Sequence, residues 1–403
     1  MKYKSSSILI QKNYPIIALG ITWLFMQCFF LWQNGIVTNQ EAIKYINEAN
    51  HFLETGTFST GNFLFYSTQI LLIAFCIKMK IGFLAIVIFQ ILINGISIIC
   101  FYKIVKNISK NKFITWFSTF YFLIFYYYHL FNTYLFTESL FFSFSVIYIY
   151  FLFSLKRITP KNGLFIFLFL ILLYLTRPTG IFFMPATYLF LIIKFYPKHA
   201  FKIIAATSIF ALAGLFFLLN FSLGSGGEFD FLLPYRDEII ICGVTRISDA
   251  HHIIIPVEKN SIQGLFYIVT HHFDLFFSLS LKRLSAFFGV SRTYFSLFHN
   301  IFVSVYFYLI YVIIVIGIRN LFKRNKAEVW FLITNIAFMA TTVALSCDEW
   351  NNRFLFSILP SFLLLAVISI NNSKSKMFTW KNWNSARQWY KDLIRILCWF
   401  FLK

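Results

Sequence analysis

The sequence predicts an all-α polytopic membrane protein of about ten transmembrane helices, on three observations. Hydrophobic residues fill 59% of the 403 positions and charged residues only 12%, a balance outside the range of soluble domains. The apolar residues come in runs long enough to cross a bilayer. The Lys and Arg residues gather between alternate runs, as cytoplasmic loops require.

Spanning runs lie at about 14–33, 82–102, 113–131, 134–154, 163–176, 178–195, 200–221, 300–318, 328–346 and 354–370. Lys2, Lys4 and Lys12 precede the first, and no small-x-small cleavage site follows it, so it reads as a retained anchor. A first outer loop, 34–81, comes next. Within it Ala42, Tyr45, Ile46, Ala49 and Phe52 recur at helical spacing, with Lys44, Asn47, Glu48 and His51 on the other face, which predicts an amphipathic helix lying along the membrane surface. The apolar stretch Phe63–Ile77 is placed in the same loop as a juxtamembrane helix, because this choice puts every basic cluster on one side. That side then holds 24 basic residues and two acids, and the other 11 basic and 13 acidic residues. The net charge of +20 is thus accounted for by topology, with no nucleic-acid partner. Both termini are predicted inside.

Arg177-Pro178 joins two short spans in a sharp outer turn, since proline biases its predecessor out of the α region. A large outer loop, 222–300, opens with Gly224-Ser225-Gly226-Gly227 and carries a predicted interfacial helix over Leu265–Phe288. Residues 1–370 form the transmembrane domain. Residues 371–403 mix Trp380, Trp383, Trp389 and Trp399 with Lys and Arg, a basic amphipathic tail for the cytoplasmic surface. The six cysteines are scattered with no C-x-x-C, which argues against a cysteine metal site. Only Cys242 and Cys347 fall in outer loops, and no disulfide between them is expected. The adjacent pairs His251-His252 and His271-His272 cannot each aim at one point, so no metal site is assigned.

Polar side chains at the outer span ends carry the candidate chemistry. Thr38-x-x-Glu41 reads as a capping box and also as a carboxylate placed for general-base work beside the membrane. Glu138, after Thr137 at the start of a span, complements the helix dipole or serves as a second acid that positions the acceptor. Arg177 runs against the charge bias; it snorkels or binds phosphate oxygens with its planar fork. Arg353 does the same, or pairs with Asp348 and Glu349. Lys282 and Arg283 are expected to face headgroup or lipid-linked phosphate. His129 is a further outer-face candidate for substrate contact.

Four segments together resemble the GT-C class of membrane glycosyltransferases, which includes protein O-mannosyltransferases and the aminoarabinose transferase of lipid A. They are Glu41-x3-Tyr45-x3-Ala49-x3-Leu53-x2-Gly56 with the helix 63–79, then Thr137-Glu138-Ser139-Leu140, then Thr176-Arg177-Pro178-Thr179-Gly180, and Arg353-Phe354-Leu355-x4-Pro360. The class commonly carries Asp in the first loop, often beside a second acid, whereas this chain has Asn39-Gln40-Glu41. The resemblance implies an inverting transferase that takes a sugar from a polyprenyl-phosphate donor. The acceptor is a lipid, glycan or protein, and the active site faces the exterior of the plasma membrane. Glu41 and Glu138 would be catalytic, and Arg177, Arg353, Lys282, Arg283, Tyr45 and His129 would bind substrate. No cofactor is required by the residues, a divalent metal being the open alternative. A polysaccharide polymerase or ligase is the rival reading. A transporter is a weaker one, since no repeat is seen and the charges sit at span ends.

Overall fold

The computed structural model describes residues 2–208, 232–244 and 261–372. The predicted span 200–221 beyond its first turns, the glycine run 224–227, His251-His252 and the basic tail lie outside the described residues. What is described is a helical bundle. Among the described residues seven helices are long and apolar enough to cross a membrane, with two shorter apolar ones beside them, so the chain is a multi-pass membrane protein as composition predicts.

Helix α1 (Lys2–Asn34) leads into an extended stretch. There Val37 forms a bridge with Tyr134, its N–H donating to the Thr133 carbonyl at 2.9 Å. Helix α2 (Glu41–Thr55) follows and buries Ala42, Tyr45, Glu48 and Ala49, three of them on the predicted apolar face. It stops at Gly56, whose left-handed φ of 76° lets its N–H close on the Phe52 carbonyl. Glu48 then holds the returning chain, accepting from Ser59 N at 2.7 Å and Ser59 Oγ at 2.6 Å. A 3-10 turn over Gly61–Tyr66 runs into α3 (Ser67–Lys78). This segment, expected to be juxtamembrane, is apolar and long enough to span, and it packs against α2 and α8.

The 26-residue α4 (Leu84–Ser109) is the longest of the seven candidate spans, about 39 Å at 1.5 Å per residue. The predicted span 113–131 is not one helix. It divides into α5 (Lys112–Leu123), capped by Asn111, and the single turn α6 (Tyr126–Leu130). After these come α7 (Thr137–Ser154), α8 (Pro160–Thr176, capped by Thr159) and α9 (Phe183–Phe195). The interfacial helix predicted over 265–288 is likewise two helices, α10 (Ser261–His271) and α11 (Phe273–Gly289), broken at His272. Helices α12 (Leu297–Leu321) and α13 (Lys326–Leu345), the turn α14 (Arg353–Ser357) and α15 (Leu359–Asn372) complete the bundle. Gly317 lets α12 approach α15 closely; a Cβ there would lie 2.3 Å from the Ser369 Cβ. Without a hydrophobic drive in lipid, such small-residue contacts let helix backbones pack.

Two short strands lie outside the bundle. β1 (Ile241–Cys242) pairs in parallel with β2 (Asp348–Glu349), Ile241 opposite Asp348 and Cys242 opposite Glu349. Cys242 and Cys347 form a disulfide with a Cα–Cα distance of 5.4 Å, contrary to the expectation of free thiols. They are 105 residues apart, and the strand pairing sets them side by side.

Candidate active site

Five charged side chains from four parts of the chain meet at one end of the bundle. Arg353, at the start of α14, is the hub. Its Nη1 donates to Glu41 of α2 and, at 2.7 Å, to Glu138 of α7, while its Nη2 donates to Glu349 of β2. Arg177, between α8 and a 3-10 turn over Pro178–Phe182, donates from Nη1 to the same Glu138 oxygen at 2.7 Å. Three carboxylates thus face two guanidiniums. Glu138 is buried, as are Arg177, Arg353 and Glu349; Glu41 reaches solvent, with 35% of its side chain exposed.

Local structure sets each member. The capping box expected from Thr38-x-x-Glu41 does not form. Gln40 is the N-cap, it makes no side-chain cap bond, and Glu41 is the first helical residue rather than the third. The Val37 bridge holds the chain extended past the point where a Thr38 cap would start the helix. Glu41 is thereby left to Arg353. Gln40 has φ 56° and ψ −127°, a conformation unfavourable for a residue with a Cβ. Glu138 lies in the first turn of α7, where the helix dipole favours a carboxylate. Arg177 takes an extended backbone, φ −159° and ψ 140°, ahead of Pro178. Its carbonyl accepts from Gly180 N at 2.8 Å.

That return demands glycine. A Cβ on Gly180 would stand 2.3 Å from the Leu173 carbonyl oxygen. Gly180→Ala is expected to cost about 1–3 kcal/mol through backbone displacement, read as a lower thermal midpoint. Gly163→Ala in α8, where a Cβ meets nothing within 4 Å, is the control and should be neutral or stabilising.

Burial alone would make both guanidiniums weaker bases. The carboxylates of Glu138, Glu41 and Glu349 together more than offset this, so Arg177 and Arg353 are held above the usual arginine range and stay charged. Tyr45 is buried on α2 with its ring 5.6 Å from that of Tyr66. Its phenol is pushed well up by burial, then by the charges of Glu41 and Glu138. The Lys44 ammonium, next to Tyr45 on α2, sits 4.9 Å from the centre of the same Tyr66 ring.

Three expected substrate contacts, Arg283, Lys282 and His129, are elsewhere. Arg283 is fully buried and donates to the carbonyls of Ile239 (2.9 Å), Pro234 (2.8 Å) and Ala344 (3.2 Å), with its guanidinium 4.5 Å above the Tyr235 ring. It clamps backbone rather than phosphate, because the α11 face that carries it packs inward; neighbouring Lys282 is exposed. His129 is fully buried because the break after α5 turns α6 into the bundle. Its Nδ1 lies 3.0 Å from Gln27 Nε2 and 3.2 Å from Asn94 Oδ1. It belongs to a buried polar seam. Asn132 Nδ2 donates to Gln27 Oε1 at 2.8 Å, Ser139 Oγ to Asn132 Oδ1 at 2.6 Å, and Gln90 Nε2 to the carbonyls of Asn132 and Tyr134 at 2.9 Å each. The seam fixes the segment that delivers Glu138.

Glu349 was legible only as a partner for Arg353, and Asp348, which pairs with buried Arg292, braces the same turn. Among the described residues no cluster of metal-ligating side chains occurs. No family model matches the chain, and neither a curated protein nor a solved structure does so.

Proposed function

We propose that this chain is a membrane glycosyltransferase of the GT-C type, which moves a sugar from a polyprenyl-phosphate donor to an acceptor hydroxyl at the outer face of the plasma membrane. The observation that carries the reading is convergence. Glu41, Glu138, Arg177 and Arg353 come from four separated segments, with Glu41 and Arg353 312 residues apart, and they meet around one solvent-reachable carboxylate.

The chemistry follows from the partners. Glu41 takes the proton of the acceptor hydroxyl as its oxygen bonds to the anomeric carbon. The bond from that carbon to the phosphate oxygen breaks on the opposite face, its electron pair leaving with the polyprenyl phosphate, and the anomeric centre inverts. In the unliganded site Arg353 holds Glu41 in an ion pair. A donor phosphate competes for the guanidiniums and releases the carboxylate, which ties base activation to donor binding. Arg353 Nε is a buried donor without a partner and is available to that phosphate. An apolar groove of about 340 Å³, lined by Phe288, Tyr311, Ile336 and Phe362 among others, offers room for a lipid chain. The Cys242–Cys347 bridge supports an outward-facing site, since disulfides persist in oxidising compartments.

The test is release of polyprenyl phosphate by purified protein in nanodiscs offered a panel of polyprenyl-phosphate sugars with candidate acceptors. No turnover with any donor would remove the proposal. Where a donor is found, Arg177→Lys keeps the charge but loses the planar fork. Its donor KM is expected to rise with kcat less affected, while expression stays near normal. Wild-type kinetics would reduce Arg177 to a counter-ion for Glu138.

A further inference from the structure

Three fastenings hold one strap, residues 232–244, against the segment that delivers Arg353. The first is the disulfide from Cys242 to Cys347. The second is the β1–β2 pairing, with Asp348 N donating to the Ile240 carbonyl at 2.9 Å. The third is Arg283, which joins strap carbonyls at Pro234 and Ile239 to Ala344 at the end of α13. The strap's own apolar support is a small cluster of Leu232, Tyr235, Ile268 and Leu279, and a two-residue ladder is marginal by itself.

From Cys347 to Arg353 the chain has little slack. Asn352 N donates to the Glu349 carbonyl at 3.0 Å, and the Glu349 carboxylate accepts from Asn351 N at 2.9 Å and from the Arg353 guanidinium. On the far side, Asn352 Nδ2 donates to the Val290 carbonyl at 2.7 Å. A shift at Cys347 therefore reaches the hub, and the hub is bonded to Glu41 at the first residue of α2.

Resting on the site described above, we propose that the Cys242–Cys347 bridge is a positioning element for Arg353, so that the Glu41–Arg353–Glu138 cluster is fully assembled only in the oxidised chain. The bond couples the redox state of the outer loops to a helix start in the first loop. Reducing it with a water-soluble phosphine cleaves the S–S bond, converts the phosphine to its oxide with oxygen from water, and leaves two thiols.

The experiment is hydrogen exchange on the full chain in nanodiscs before and after such reduction, with reduction verified by thiol mass-tagging. The amides of Ala42 and Ile43 donate to the Asn39 and Gln40 carbonyls at 3.1 and 3.2 Å and report the start of α2. On reduction, Asp348, Ala42 and Ile43 should all exchange about tenfold faster or more, as a locally loosened unit does, while α4 stays unchanged. The double variant Cys242→Ser, Cys347→Ser should match reduced wild type without phosphine; should it fail to fold, the reduced wild type alone decides. In Arg353→Gln, reduction should add nothing at Ala42 and Ile43, because the link is already cut. Faster exchange at Asp348 with Ala42 and Ile43 unmoved would overturn the proposal, as would no change at any of the three. No substrate is needed, so failure to find glycosyl transfer leaves this result standing, and failure here leaves the transfer assay standing.

Discussion

Glu41→Gln is expected to insert, fold and bind donor, yet to turn over about 10² to 10⁴-fold more slowly, the usual cost of losing a general base. The carboxamide keeps the size of the side chain and can still accept from Arg353, but it cannot take a proton. Stability should hardly change. Glu41 makes no cap bond, and an ion pair with 35% of the carboxylate side chain exposed contributes about 0–1 kcal/mol. Turnover and thermal midpoint measured on one preparation separate the roles: a large rate loss at constant midpoint marks the base, and near-normal turnover would strip Glu41 of it.

Glu138→Gln should show the reverse pattern. Its carboxylate is 1% exposed and sits 2.7 Å from a nitrogen of each of two buried arginines. Removing the charge leaves two guanidiniums facing each other, so breaking this buried arrangement should cost about 3–5 kcal/mol, a large part of ordinary folding stability. A sharp drop in thermal midpoint and in membrane yield is the expected readout. A variant as stable as wild type would mean that Arg177 and Arg353 are neutralised without Glu138.

Much of this site could be read in the sequence because charge is conspicuous in an apolar chain. Glu41, Glu138, Arg177 and Arg353 stood out as polar residues at the ends of apolar runs, and each end is set by local pattern. Their meeting could not be read, since contact between positions 312 apart is decided by how helices pack. The capping box failed for the same reason: the Val37–Tyr134 bridge is a distant contact that overrides a local motif. Hydropathy treats 113–131 as one span because the break after Leu123 is made of apolar residues. The disulfide had no spacing signal. The stripe Gln90, Asn94 and Ser97, at i, i+4 and i+7 on one face of α4, is a signal for the polar seam that went unread, because the run around it is apolar enough to pass as a plain span.

That seam has a consequence for how the chain is made. The first helix enters the bilayer carrying Gln27, whose amide oxygen accepts from Asn132, 105 positions downstream, and whose amide nitrogen faces His129, 102 positions downstream. At a synthesis rate of about 5–20 residues per second, those partners emerge roughly 5–20 s later. During that interval the glutamine is a polar group in hydrocarbon, a state costly enough to keep α1 near the insertion machinery or its protein walls. Helix α4 arrives first and offers Asn94 to Trp23. Docking of α1 is therefore completed only as the 129–134 segment arrives, so the turn that delivers Glu138 is also the latch that closes the N-terminal half of the bundle.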